Sequence, residues 1–136
     1  MTRGYLLVRA DGRAYGLPLA HVLEVSDLDD VLEAPRACAA VRGLTTLRGR
    51  LVPLVHLGAL LAGRAAAGPR GGTAVLVRLG AAQVAFEVDD ADEVVREESL
   101  PVPRGESLPW ATGVARGGAR GLVPILDLDA LEDRIR

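Results

Sequence analysis

The chain states one pattern twice. The stretch LVPLVHLGAL at Leu51–Leu60 returns as LVPILDLDAL at Leu122–Leu131, with six of ten positions identical at an offset of 71. Leu7-Val8-Arg9 recurs as Leu76-Val77-Arg78 and Glu24-Val25 as Glu93-Val94, both at an offset of 69, and Gly43 falls opposite Gly113 at 70. In a sequence rich in Leu and Val, one apolar match means little. Four blocks in the same order mean that the chain is duplicated. Two units of about 65–70 residues meet near Gly63–Thr73. A chain of 136 residues can hold a core without staples, so one compact domain or two small interlocked ones is expected. The approximate halves are residues 1–70 and 71–136 of one domain, each expected to form its own barrel, with terminal strands able to cross over.

Each unit reads as short strands. Tyr5–Arg9 is a β-forming run, Asp11-Gly12 is a hairpin turn signal, and Arg13–Leu19 alternates apolar and polar residues. Leu19–Val25 reads as a helical turn passing into a strand, and Ser26–Arg36 as a connecting loop. Leu44–Leu47 and Arg50–Val55 flank the turn Arg48-Gly49, and Leu57, Leu60 and Leu61 have helical spacing. The Gly- and Pro-bearing stretch from Gly63 to Gly72 links the units. The second unit follows the plan: strands at Thr73–Leu79 and Gln83–Val88, a Pro-rich loop over Glu97–Pro109, and strands at Gly113–Arg116 and Leu122–Leu126. Asp127 is placed to cap a final helix whose Leu128, Leu131 and Ile135 share a face. Pro53 and Pro124 lack ladder donors and are expected at edges or bulges. The class is all-β with short helices. Five short twisted strands with one apolar face curl into a small barrel.

Composition excludes several functions. With 136 residues and a net charge of -2, the chain has no basic stripe for neutralising phosphates, which argues against a nucleic-acid partner. Its single cysteine, Cys38, can form no internal disulfide and suits a reducing compartment. In its apolar context, Ala37–Ala40, it reads as a small buried residue. The N-terminal residues lack a signal-peptide apolar stretch, and Leu51–Gly63 is too short to cross a bilayer. A cytoplasmic protein without membrane insertion is expected.

Catalytic chemistry is sparse. His21 and His56 belong to no spaced metal-ligand motif. Ser26, His21 and Asp27 could be assembled on paper into a nucleophilic triad, but no nucleophile elbow surrounds any serine. The acidic run Asp89, Asp90, Asp92 and Glu93 lacks the glycine and final glutamate of a calcium loop and reads as a solvated turn. Gly68, Gly71 and Gly72 do not open a helix after a strand, so they read as linker rather than phosphate cradle. Trp110 is either a loop plug over the second barrel or an interface anchor. The reading implies no catalytic residue, metal or cofactor.

The run Val41–Leu57 (VRGLTTLRGRLVPLVHL) resembles the signature of the CheW-like adaptor family of bacterial chemotaxis. Further blocks fall in the family's order: Tyr15–Leu19 with Val22–Val25, Ala85–Asp89 with Asp92–Val94, Gly113–Arg116, and Leu122–Leu128. The resemblance implies two packed five-stranded SH3-like β-barrels. It implies a non-enzymatic scaffold that joins a chemoreceptor's cytoplasmic tip to the regulatory domain of a histidine kinase, with other CheW-like domains as further partners. Receptor contact would use the groove between barrels, and kinase contact the pairing of barrel with barrel. Arg48 matches the motif arginine and Gly43 the motif's first glycine; Val22 and Glu24 match a partner-contact strand. Val88, at the end of the matching strand of the second unit, is expected across the groove from Val22. Thr46 and His56 depart from the family's usual Asn and Asp, which bears on the choice of partner. Alternatives are a module of a non-flagellar chemosensory-like pathway or of a larger signalling protein, and, from another class, a small enzyme or ligand-binding barrel.

Overall fold

In the computed structural model, ten strands among the described residues follow the duplicated pattern: β1 (Arg3–Ala10), β2 (Arg13–Pro18), β3 (Val22–Asp27), β4 (Val41–Leu47), β5 (Arg50–His56), β6 (Thr73–Leu79), β7 (Ala82–Val88), β8 (Asp90–Glu97), β9 (Ala111–Arg116) and β10 (Leu122–Leu126). Helices α1 (Leu57–Ala62) and α2 (Leu128–Ile135) close the two units, and single 3-10 turns occupy Leu19–His21 and Gly118–Arg120. The structure describes residues 3–33, 38–102 and 108–135, apart from the side chain of Asp92. Parts of the expected loops Ser26–Arg36 and Glu97–Pro109, and Ala37 beside Cys38, lie outside the described residues.

The strands form two five-stranded sheets, ordered β3-β6-β7-β5-β4 and β8-β1-β2-β10-β9. We call these the first and second barrels. The boundary near residue 70 does not divide them. Each barrel takes three strands from one unit and the opening hairpin of the other. Thus β1 pairs antiparallel with β8 from Arg3↔Glu97 to Arg9↔Asp90, and β6 pairs with β3 from Val22↔Val77 to Asp27↔Thr73. A repeat encodes the same ladder in both copies, so local pattern cannot tell whether a hairpin pairs within its own unit or with the other. The exchange interlocks the halves.

Equivalence holds at the level of register. β5 runs parallel to β7 from Leu54↔Ala85, and β10 runs parallel to β2 at Ile125↔Gly16, the matching residues of the two units. Pro53 and Pro124 each stand one residue before that parallel pairing begins, so the missing donor falls where only the antiparallel neighbour is present. Of the expected edges or bulges, the edges are absent, since both strands are central, but ladder irregularities lie close by, between Val41 and Gly43 opposite β5 and between Ile125 and Leu126 in β10.

Two other expectations change. Ser26 and Asp27 continue β3 rather than open a loop. The acidic run is not a free turn: from Asp90 onward it forms β8, where Arg9 pairs with Asp90 and β1 supplies the ladder.

The largest apolar core lies between the barrels. It joins Leu6, Val8 and Leu17 to Val55, Leu57, Val75, Val77 and Phe86, and to Leu126, Leu128 and Leu131. Smaller clusters fill each barrel: Leu54, Ala74, Leu76 and Ala85 in the first, Tyr5, Ala115 and Ile125 in the second. Strand β6 therefore buries both faces, Ala74 and Leu76 inward and Val75 and Val77 toward the other barrel, which explains its unbroken apolar run. Val88 belongs to this shared core and is only 2% exposed. The space where an open apolar groove was expected is filled here, because Val88 completes the inter-barrel packing. Val22 is half-buried against the same core; its repeat equivalent is Ala91, also half-buried, and not Val88. Trp110 packs edge-on against Tyr15, ring centroids 5.6 Å apart at 74°, and covers the shared core rather than one barrel alone. Cys38 is half-buried rather than enclosed.

The His56 and Asp127 slot has one job in both units. His56 Nδ1 accepts the backbone N–H of Ala59 at 3.0 Å, and Asp127 Oδ1 accepts that of Ala130 at 3.2 Å. Each side chain caps the helix that follows, and either an unprotonated imidazole nitrogen or a carboxylate supplies the acceptor.

Candidate functional site

Each barrel closes at a seam. Beyond β3 the chain continues alongside β4, where Leu32 and Leu44 exchange both backbone hydrogen bonds at 2.8 Å. Beyond β8, Leu100 and Val114 do the same at 2.7 and 2.8 Å. Each bridge ties the chain beyond one outer strand to the other outer strand of the same sheet and covers part of that edge. Gly43 and Gly113 make the approach possible. A Cβ on Gly113 would lie 2.5 Å from the carbonyl oxygen of Leu100, and one on Gly43 would overlap that of Leu32. Gly43, matched to a motif glycine at the partner-binding site and also expected as a backbone device for close approach, has that close approach here. Thr45, buried beside it, adds a hydrogen bond from Oγ1 to the carbonyl of Asp30 at 2.7 Å.

Side chains lace the same seam. The Arg48-Gly49 turn joins β4 to β5 with both residues at positive φ, 53° and 72°. Its arginine is 59% exposed yet engaged: Nε donates to Glu24 Oε1 at 2.7 Å, and Nη2 donates to the carbonyl of Leu23 at 3.1 Å. Ser26 Oγ donates to the other oxygen of Glu24 at 2.8 Å. The Arg48 hydrogen bond foremost, then that of Ser26, holds the Glu24 carboxyl below its ordinary range. The structure thus brings Arg48 and Glu24 together as one exposed pair beside Val22. Val88 is elsewhere, inside the core. An ion pair so open to water adds little stability; its rigid guanidinium fork remains at the surface.

The second barrel repeats the lacing. Arg120, from the β9–β10 turn, donates to Glu93 Oε1 at 3.3 Å, and Glu93 is the repeat partner of Glu24. Sequence reasoning saw Glu24 recur as Glu93 but missed Arg120, because the two turns differ in length and the arginines fall out of register.

Apolar residues at the seams repeat too. Val25, Leu32 and Leu51 are exposed in the first barrel; Val94, Leu100 and Leu122, their repeat partners, are exposed in the second. Leu32 bridges to Leu44, which pairs with Pro53, and Leu51 pairs with Thr46 on the neighbouring register. Leu100, Val114, Pro124 and Leu122 stand at the matching positions in the second barrel, where Val114 is buried and Leu100 and Leu122 are the exposed members. Scattered exposed leucines need no explanation, but the same positions exposed twice do. The signal was present in the offsets of 68 to 71 between the pairs.

Among the described residues, no group of three or more His, Cys, Asp or Glu side chains could hold a metal ion. No described helix is long and apolar enough to cross a membrane.

The sequence model of the CheW-like domain family matches residues 4–136. This chain belongs to the CheW-like domain family. It is 23% identical over 133 residues to the chemotaxis protein CheW of Klebsiella aerogenes, an alignment that takes in 93% of this chain and 80% of the relative. Among solved structures, the scaffolding protein TtCheW of Thermoanaerobacter tengcongensis superposes with a TM-score of 0.79 at 19% identity, over 96% of this chain and 88% of that one. The interlocked pair of five-stranded barrels is therefore the family's fold, and the exchanged hairpins and paired seams are this CheW-like chain's version of it.

Proposed function

We propose that this chain is a non-enzymatic signalling scaffold that couples a chemoreceptor's cytoplasmic tip to the regulatory domain of a histidine kinase, acting in the cytoplasm beside membrane receptors. The observation that carries this is the duplicated seam. A coupling protein must hold at least two partners at once. This chain presents two like faces, each with an exposed apolar ribbon and an arginine–glutamate pair. Burying such ribbons against a partner supplies affinity, while the charged pair fixes orientation. Arg48 and Glu24 are contact residues in this reading, with Val22 beside them. Leu51 and Leu122 join them as apolar anchors, and Gly43 shapes the face without touching the partner.

Calorimetric titration of Leu51→Asp, Leu122→Asp and the double variant against a kinase regulatory domain and a receptor cytoplasmic fragment tests this. Each single change should weaken one partner by about tenfold or more, roughly 1.4 kcal/mol, with an unchanged urea midpoint. Arg48→Glu, which replaces a charge-assisted contact with repulsion, should cost about 2–4 kcal/mol of binding. Wild-type affinity for both partners in the double variant would refute the assignment.

A further inference from the structure

The two barrels differ in one place that the duplication makes conspicuous. On the first barrel, the linker between units lies in a seat of its own. Gly71 N donates to Glu87 Oε2 at 2.8 Å, and Arg42 Nη1 donates to the carbonyl of Gly68 at 3.3 Å. Arg42 and Glu87 are themselves paired at 2.7 Å, with Glu87 1% exposed. Ala66 N adds a bond to the carbonyl of Ala39 at 2.9 Å. A Cβ on Gly71 would strike the Val88 carbonyl, so the backbone runs flat against β7. What remains of the seat is a small hollow of about 260 Å³ beside His56, Glu87 and Val88.

The matching place on the second barrel is open. There Asp127, Pro18 and Leu19 stand where the first barrel has His56, Glu87 and Val88, and Thr112 stands for Arg42. These four residues line a hollow of about 1030 Å³, floored by Tyr5, Ile125 and Leu128. That is the size of a large ligand site. The clamp is missing as well: neither Pro18 nor Thr112 can form the ion pair that fastens the linker. The rim mixes charges, with Arg3 and Arg96 against Glu98, Asp127 and Asp129. It selects no strongly charged ligand.

We propose that this hollow is a docking seat for a non-helical, Ala/Gly/Pro-rich segment of a partner protein, the intermolecular counterpart of the seat that the chain's own linker occupies on the other barrel. The linker supplies the chemistry of the occupant. Ala66, Ala67, Pro69 and Gly71 are small, their backbone is non-helical with bends at Gly68 and Pro69, and the equivalent positions of the second barrel line the open hollow. Small residues let a backbone approach a floor of β-sheet closely, and a segment of this composition loses less side-chain entropy on docking than one of long side chains. The inference rests on the internal repeat and stands apart from the seams proposed to hold receptor and kinase.

The test is a titration of the isotope-labelled full chain with a synthetic peptide of the linker sequence, Arg64–Gly72, followed by amide chemical shifts. An amphipathic helical peptide of equal length is the comparison. Saturable shifts confined to residues around Leu19, Thr112 and Asp127, with the linker peptide preferred, support the seat. Thr112 is exposed on β9, so T112W should keep the fold, verified by spectral dispersion, while it plugs the hollow and weakens binding by about tenfold or more. The double variant P18E/T112R, which installs the missing clamp, should tighten binding severalfold. Preference for the helical peptide, equal binding by T112W, shifts at Gly71 and Glu87 instead, or binding that appears only in P18E/T112R would each overturn the proposal.

Discussion

Replacing Gly43 with Ala separates architecture from recognition at the seam. The new methyl would overlap the carbonyl oxygen of Leu32, a backbone atom that cannot rotate away. The strand must therefore move, and the two 2.8 Å hydrogen bonds between Leu32 and Leu44 lengthen or break. Each is worth about 0.5–1.5 kcal/mol net. The neighbouring bond from Thr45 Oγ1 to Asp30, whose donor is buried, is strained by the same shift. The sum is a loss of about 2–4 kcal/mol. Gly49→Ala is the control: it has positive φ but open space around it, so it should cost only about 1 kcal/mol. Urea denaturation with an unchanged slope reads both. Gly113→Ala, facing Leu100 in the same way, should match Gly43→Ala. If Gly43→Ala costs less than about 1 kcal/mol and instead abolishes partner binding, the glycine is a contact residue and the closure argument is wrong.

Three further outcomes follow from the geometry. Glu24, held below its ordinary value by Arg48 and Ser26, adds stability above its unfolded pKa that is lost as pH falls through the lower folded value; Arg48→Ala should raise its carboxyl NMR midpoint, and an unmoved midpoint would break the pairing. His56→Ala should cost about 1 kcal/mol by removing the α1 cap, while His56→Asp, the side chain used at the same slot before α2, should change the melting midpoint little. Val88→Asp should cost several kcal/mol, about 2–7, because it buries a carboxylate in the inter-barrel core, whereas Val22→Asp at the half-buried start of β3 should cost less; equal denaturant midpoints for the two would contradict the burial seen here.

Local pattern alone determined much of this protein. Repeated blocks revealed the duplication, Asp11-Gly12 and Arg48-Gly49 marked turns with backbone at positive φ, and Asp127 marked a helix cap. These are short-range effects, settled within a few residues of chain. Arg48 and Glu24 were singled out by the family resemblance, and only the fold showed that they pair. What sequence could not determine was which copy of a pattern pairs with which. The hairpin exchange places Leu7 beside Glu93 and Val22 beside Val77, and two nearly identical ladders offer no local preference between those partners. That exchange packs Val88 into a shared core, while the closure of each barrel pairs Arg120 with Glu93 and makes Gly43 a point of close backbone approach. Only tertiary packing decided these, because burial, closure and the contacts between equivalent strands belong to the assembled pair of barrels and to neither repeat alone.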